Sequence, residues 1–91
     1  MKSRAHLTIH GKVQGVYYRA FTKELADSLG LKGWVRNLPN RSVEAVFEGE
    51  KDIIEIAVRK CHVGPPYSMV TNIELIWEDS LEGFSDFRIR Y

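Results

Sequence analysis

The sequence is short of sulfur, of net charge and of long apolar runs, and each shortage removes a class of function. One cysteine, Cys61, leaves no partner for an internal disulfide and no thiol set for a zinc or redox motif, so a reducing compartment is expected. Thirteen basic residues against twelve acidic ones leave a net charge of +1, too little to draw the whole molecule to nucleic acid or anionic lipid. Any anion site must therefore be local. The opening MKSRAHLTIH has basic residues but no apolar stretch of signal-peptide length behind them, and no run is long enough to span a bilayer. A cytoplasmic protein with neither nucleic acid nor membrane as partner is the resulting expectation. No repeat, low-complexity tract or linker interrupts the 91 residues, of which 44% are hydrophobic. That suffices for one core, so a single domain over residues 1–91 is expected, in monomeric form.

What is present is a regular change of period. Leu7 and Ile9 alternate with His6, Thr8 and His10 in a half-buried strand that starts near Ala5 and ends at a Gly11 corner. From Tyr18 the apolar spacing turns helical through Phe21, Leu25 and Leu29, with Lys23, Glu24 and Asp27 outward and Gly30 placed to cap the end. Lys32–Leu38 and Ser42–Glu48 read as strands joined through Pro39, Asn40 and Arg41. The second sets Val43, Ala45 and Phe47 against Ser42, Glu44 and Glu48. Glu50–His62 is a second helix with an inward stripe of Ile53, Ile54, Ala57, Val58 and Cys61, acidic early and basic late as the helix dipole favours. Ile56 alone misses the stripe. Gly64-Pro65-Pro66 ends it, Val70–Glu78 alternates as a fourth strand, Asp79–Gly83 is a loop, and Phe87, Ile89 and Tyr91 alternate in a short fifth strand. This order predicts an α+β, ferredoxin-like βαββαβ sandwich, an antiparallel sheet with two helices on one face and a short C-terminal strand added. Many unrelated activities use that plan, so function has to be argued from a site.

The candidate site is GKVQGVYYRAF, Gly11 to Phe21, at the first strand-to-helix corner. A helix start leaves N–H groups unpaired and carries the positive end of the dipole, which suits an anion. Gly11 and Gly15 would remove side chains that block the anion and allow angles that let amides converge, although glycines at a strand-to-helix corner most often serve only the turn. Arg19, one turn past Gly15, offers a guanidinium that bonds two phosphate oxygens at once. The loop is not a nucleotide P-loop, because Gly15 is followed by Val16 and Tyr17 and no Lys-Ser pair is present to hold magnesium. A second candidate is Asn37, in GWVRNLPN, although an asparagine near proline also commonly shapes a turn. Spacing leaves open whether the second strand runs parallel or antiparallel to the first, so it does not place Asn37 beside the loop.

Gly11 to Arg19, G-K-V-Q-G-V-Y-Y-R, resembles the first signature of the acylphosphatases, G-x-V-Q-G-V-x-[FY]-R, and Gly33 to Asn37, G-W-V-R-N, is similar to the second. The resemblance continues through Ser42-Val43, Glu48-Gly49, Gly64-Pro65 and the closing Phe87 to Ile89, so it covers nearly the whole chain. It implies hydrolysis of the carboxyl–phosphate bond of a small acyl phosphate, with no cofactor or metal and with inorganic phosphate as product and inhibitor. It also implies a phosphate-binding loop of Gln14, Gly15, Val16, Tyr17, Tyr18 and Arg19. Arg19 and the amides from Gly15 onward would hold the phosphoryl group, Gln14 and Val16 would shape the loop, and Asn37 would orient the attacking water. Arg41 departs from the family, which usually has glycine in this hairpin, and Asn40 is expected to take the left-handed conformation instead. Tyr17 stands at a variable, often smaller position and is expected to affect which acyl groups fit.

Other features carry less. His6 and His10 are about 13 Å apart along a strand, too far to share one ion. Cys61 reads as core, Trp34 and Trp77 as packing residues, and Pro65-Pro66 as a helix end. Lys2, Arg4, Lys12, Arg36 and Arg41 are either a basic rim that gathers anionic substrate or scattered surface charge. An RNA-binding platform would need a K/R-G-F/Y-G/A-F-V-x-F/Y motif that neither the first nor the third strand contains. A non-catalytic domain that binds acyl phosphate or another anion is the remaining alternative. Such a domain would need Arg19 but not Asn37.

Overall fold

A computed structural model describes all residues, Met1 to Tyr91, in the order β1 (Lys2–Lys12), α1 (Tyr18–Leu29), β2 (Lys32–Asn37), β3 (Val43–Glu50), α2 (Lys51–Val63), β4 (Met69–Glu78) and β5 (Phe87–Arg90). These bounds follow the hydrophobic periods to within a few residues. Gly30 closes α1 in the left-handed conformation, φ 71°, and donates its N–H to the last turn. No helix is long and apolar enough to cross a membrane.

The five strands form one sheet in the order β4-β1-β3-β2-β5. β3 is antiparallel to both β1 and β2, so β1 and β2 run the same way with β3 between them. This split arrangement answers the direction question that spacing left open. The chain leaves β1 and β2 at the same edge of the sheet, and β3 begins there. The expected antiparallel sheet needs one correction: β5 lies parallel to β2, with Gly33 beside Phe87 and Val35 beside Ile89, so the sheet is mixed. β5 follows β4 only after a loop long enough to carry the chain to the far edge, and it therefore arrives running with β2.

One face packs under the helices. Ala5, Leu7, Ile9, Val35, Val43, Ala45, Phe47 and Phe87 meet Tyr18, Leu25, Ala26, Ile54, Ala57 and Cys61 in a single apolar cluster. Phe47 stacks on Phe87 at 5.5 Å between ring centres, which seats β5 against the sheet. Thr22, absent from the expected stripe, is fully buried because its hydroxyl donates to the Tyr18 carbonyl within the helix.

The opposite face is less open to water than alternation suggests. Trp34 is 8% exposed and lies beside cross-strand Val46, which is buried, while the Arg36 and Arg90 guanidiniums approach the indole at 5.4 and 4.5 Å. Trp77, beside Ala5 in the register, belongs to the helix-covered face instead; it packs less fully than Trp34 and carries the Lys51 ammonium at the start of α2 at 5.1 Å. His6 and His10 each pair with a different carboxylate, Glu44 and Glu74, both at 2.6 Å. Glu48 is buried; its carboxylate accepts from Arg4 at 2.7 Å and from the Glu82 and Gly83 amides at 2.8 and 3.0 Å. The β4–β5 loop is pinned by that contact.

Candidate active site

The site forms where three parallel strands end. The chain leaves β1 into residues 13–17, β2 ends at Asn37, and β5 brings Ile89 and Tyr91 to the same edge. A cavity of about 220 Å³ lies there, several times the roughly 30 Å³ share of one water. Of the residues expected in the site, Gly15, Tyr17, Tyr18, Arg19 and Asn37 line it. Gln14 and Val16 do not. Val16 packs against the core instead, and Gln14 turns toward the β2–β3 hairpin. Sequence reasoning missed Ile89 and Tyr91, because the β5 alternation shows two apolar residues on one face without showing that β5 joins the β2 edge.

The two glycines of the corner have different tasks. Gly11 does not line the cavity: it sits at a bulge in the β1–β4 pairing with φ 122°, where an added Cβ would be 2.1 Å from the Met69 carbonyl. Its expected role beside the anion is therefore corrected to close approach of β4. Gly15 has open space around it but a φ of 74°. Tyr17 follows at 73°, with Val16 between them at negative φ, so the backbone alternates in sign before entering α1. Such alternation turns successive N–H groups toward one point and makes an anion-binding nest.

The helix start continues the nest. Tyr17 caps α1 without a side-chain hydrogen bond, and the first helical bond runs from the Phe21 N–H to the Tyr17 carbonyl at 3.0 Å. The amides of Gly15, Val16 and Tyr17 have no backbone acceptor, and those of the first helical residues lack an intrahelical one. No acidic residue occupies the first turn of α1 to compete for them. Arg19 makes no ion pair, and its guanidinium lies over the Tyr91 ring at 4.9 Å. A free guanidinium and unpaired amides thus border one cavity.

Asn37 enters from the end of β2. Its Oδ1 is buried and is the one such side-chain polar atom in the molecule without a hydrogen-bond partner. A buried acceptor left unpaired is costly, so it marks a place where a donor such as water is expected. No aspartate, glutamate or histidine lines the cavity. Tyr17 and Tyr18 are poor proton donors: burial, and after it the neighbouring Cys61 thiol, pushes the Tyr18 hydroxyl well above its ordinary range, and that hydroxyl donates to the Cys61 carbonyl at 2.7 Å. The hydrogen bond to Glu24, 2.6 Å, raises that of Tyr17. Cys61 is buried away from the cavity and its thiol is pushed up to about 12 by that burial, so it is a core residue rather than a nucleophile.

The basic rim reduces to two residues. Lys2 and Arg4 lie toward the opposite end of β1, Arg4 is held by Glu48 and Glu78, and Arg36 is held by Glu44 at 2.6 Å on the far face. Lys12 and Arg41 remain at the site's edge of the sheet. The hairpin also differs from expectation. Arg41 itself is left-handed, φ 74°, whereas Asn40 keeps ordinary angles. The Asn40 carboxamide oxygen instead accepts from the Ser42 N–H at 3.1 Å and from its hydroxyl at 2.5 Å, an asparagine turn that leaves the left-handed position to the next residue.

The acylphosphatase family model matches residues 5–89. A protein named acylphosphatase from Pelotomaculum thermopropionicum is 44% identical over 90 residues, covering 99% of this chain and 98% of its own. Among solved structures, acylphosphatase from Bacillus subtilis superposes with a TM-score of 0.96 at 36% identity, covering all of both chains. An acylphosphatase from Coxiella burnetii gives 0.93 at 40% identity over 98% of this chain and 93% of that one.

Proposed function

Because the chain belongs to the acylphosphatase family and hydrolyses acyl phosphates, we propose that Arg19 and the cradle amides bind the phosphoryl group while Asn37 orients the attacking water. The observation that carries this division is the Asn37 Oδ1, buried and unpartnered in the wall of the cavity that Arg19 also lines. A water that donates one hydrogen to this oxygen has a lone pair free for the phosphorus. Attack forms the new P–O bond as the P–O bond to the acyl group breaks. The electron pair leaves on a carboxylate whose conjugate acid has a pKa of about 4, so no proton donor is needed. Charge on the equatorial oxygens is neutralised by the Arg19 guanidinium and the nest, in a transition state that asks mainly for positioning and electrostatics. Carboxamides are not bases at neutral pH, and no carboxylate or imidazole lines the cavity. The water's second hydrogen therefore goes, in this proposal, to a phosphoryl oxygen, giving carboxylate and phosphate as products.

The proposed working form is a cytoplasmic monomer, one domain over residues 1–91, acting on a free small-molecule acyl phosphate without a metal. The test is hydrolysis of benzoyl phosphate, with EDTA present, by Asn37→Ala and Asn37→Asp. Asn37→Ala is expected to lower kcat on the order of 10²-fold, the scale of a lost transition-state contact. Asn37→Asp is also expected to be slower than the original protein, because a carboxylate adds a base the mechanism does not need and a charge that repels the phosphoryl oxygens. A faster Asn37→Asp enzyme would show that a protein base takes the proton.

A further inference from the structure

One side chain ties the phosphate loop to the hairpin that carries Asn37. The Gln14 Nε2 donates to the Leu38 carbonyl and to the Ser42 carbonyl, both at 2.9 Å. These carbonyls form the mouth of the β2–β3 hairpin, where the Leu38 N–H donates to Ser42 O at 2.9 Å and the Arg41 N–H donates to Leu38 O at 3.1 Å. Gln14 directly precedes Gly15, and Leu38 directly follows Asn37. Because β3 lies between β1 and β2, the gap between their ends is two strand spacings, about 10 Å. The glutamine side chain crosses the start of β3 to close it.

We infer that Gln14 is a positioning residue that holds Asn37 in register with the phosphate cradle, and not itself a phosphate ligand. The inference rests on the water-orienting reading of Asn37. A primary amide suits the task, since two hydrogens on one nitrogen meet two carbonyls. Both of those hydrogens are used on the hairpin, and the remaining Oε1 is an acceptor that would repel a phosphoryl oxygen. Asn37 Oδ1 has no protein partner, so its location is inherited from the backbone it stands on. That backbone is what Gln14 holds. A shift of about 1 Å in a positioning group can cost roughly 10²-fold in rate, so the clasp acts on kcat without touching substrate.

The test compares Gln14→Leu in the original and Asn37→Ala backgrounds, with benzoyl phosphate as substrate and inorganic phosphate as competitive inhibitor. The Asn37 side-chain amide resonance is followed in a ¹H–¹⁵N spectrum of the Gln14 variant. Gln14→Leu is expected to lower kcat by about 10- to 100-fold while phosphate inhibition changes by no more than about threefold. The Asn37 amide resonance should move. In the Asn37→Ala background the same substitution should change kcat by less than about twofold, because the group it positions is already gone. The same factor in both backgrounds, an unmoved Asn37 resonance, or a loss of phosphate affinity as large as the loss of kcat would each overturn the inference. If Asn37→Ala alone leaves turnover intact, the water-orienting reading fails, and the resonance still decides whether Gln14 positions Asn37. Gln14→Asn, which keeps the amide and shortens its reach, carries the same comparison if Gln14→Leu does not fold.

Discussion

Two residues with side chains, Tyr17 at the entry to α1 and Arg41 in the β2–β3 hairpin, sit at backbone angles usually left to glycine. Each left-handed residue of this kind costs on the order of 1–3 kcal/mol, which surrounding structure must offset. For Tyr17 the conformation completes the nest and starts α1, so in the proposed reading phosphate binding is what justifies its cost. For Arg41 nothing comparable is gained beyond the turn itself, where its N–H reaches the Leu38 carbonyl. Arg41→Gly should therefore raise stability by about 0.5–1 kcal/mol, strain relief exceeding the extra freedom glycine gives the unfolded chain. Thermal unfolding of the two proteins checks this; a lower midpoint for Arg41→Gly would mean that the arginine side chain makes a stabilising contact. At this scale the motif residues were legible through the resemblance of Gly11–Arg19 and Gly33–Asn37 to the acylphosphatase signatures, because glycines at a corner and an asparagine near proline by themselves read equally as turns. Which residue takes the left-handed angle was not, because Asn40 satisfies the turn with its side chain rather than its backbone.

At the scale of elements, hydrophobic period identified all seven segments but could not orient them. Alternation in residues 32–38 says that a strand is there. That β2 runs with β1, and so delivers Asn37 to the loop, follows only once β3 pairs with both. Glu48 departs from expectation for a related reason: alternation assigns it to a solvent face, yet the β4–β5 loop covers it, and Val46 on the same face is sheltered beside Trp34. Burial by itself would raise the Glu48 carboxyl, but the Glu82 amide, Arg4 and the Gly83 amide outweigh it and hold it below the usual carboxylate range. A carboxyl depressed in the folded state contributes stability that is present above its unfolded pKa, about 4.3, and is lost as pH falls through the lower folded value. Unfolding midpoints measured from pH 7 down to pH 3 should accordingly fall more steeply in the original protein than in Glu48→Gln. Parallel curves would show that Glu48 does not drive the acid loss.

Across the whole molecule, near-neutral charge and a local anion site are consistent with one another. Three of the six arginines outside the site are held in ion pairs, Arg4 and Arg36 by glutamates of β3 and Arg88 by Asp86. Arg19 makes no such ion pair, and it stands where the ends of β1, β2 and β5 meet the start of α1. The fold thus gathers on one edge an anion cradle and an asparagine that the chain keeps 18 residues apart, Arg19 and Asn37. The division of labour between them is the central claim, and phosphate binding to purified Arg19→Ala and Asn37→Ala, followed by calorimetric titration beside the original protein, tests it most directly. Arg19→Ala is expected to lose most phosphate affinity along with activity, and Asn37→Ala to keep phosphate affinity while turnover falls. Equal loss of phosphate binding in both variants would contradict the account.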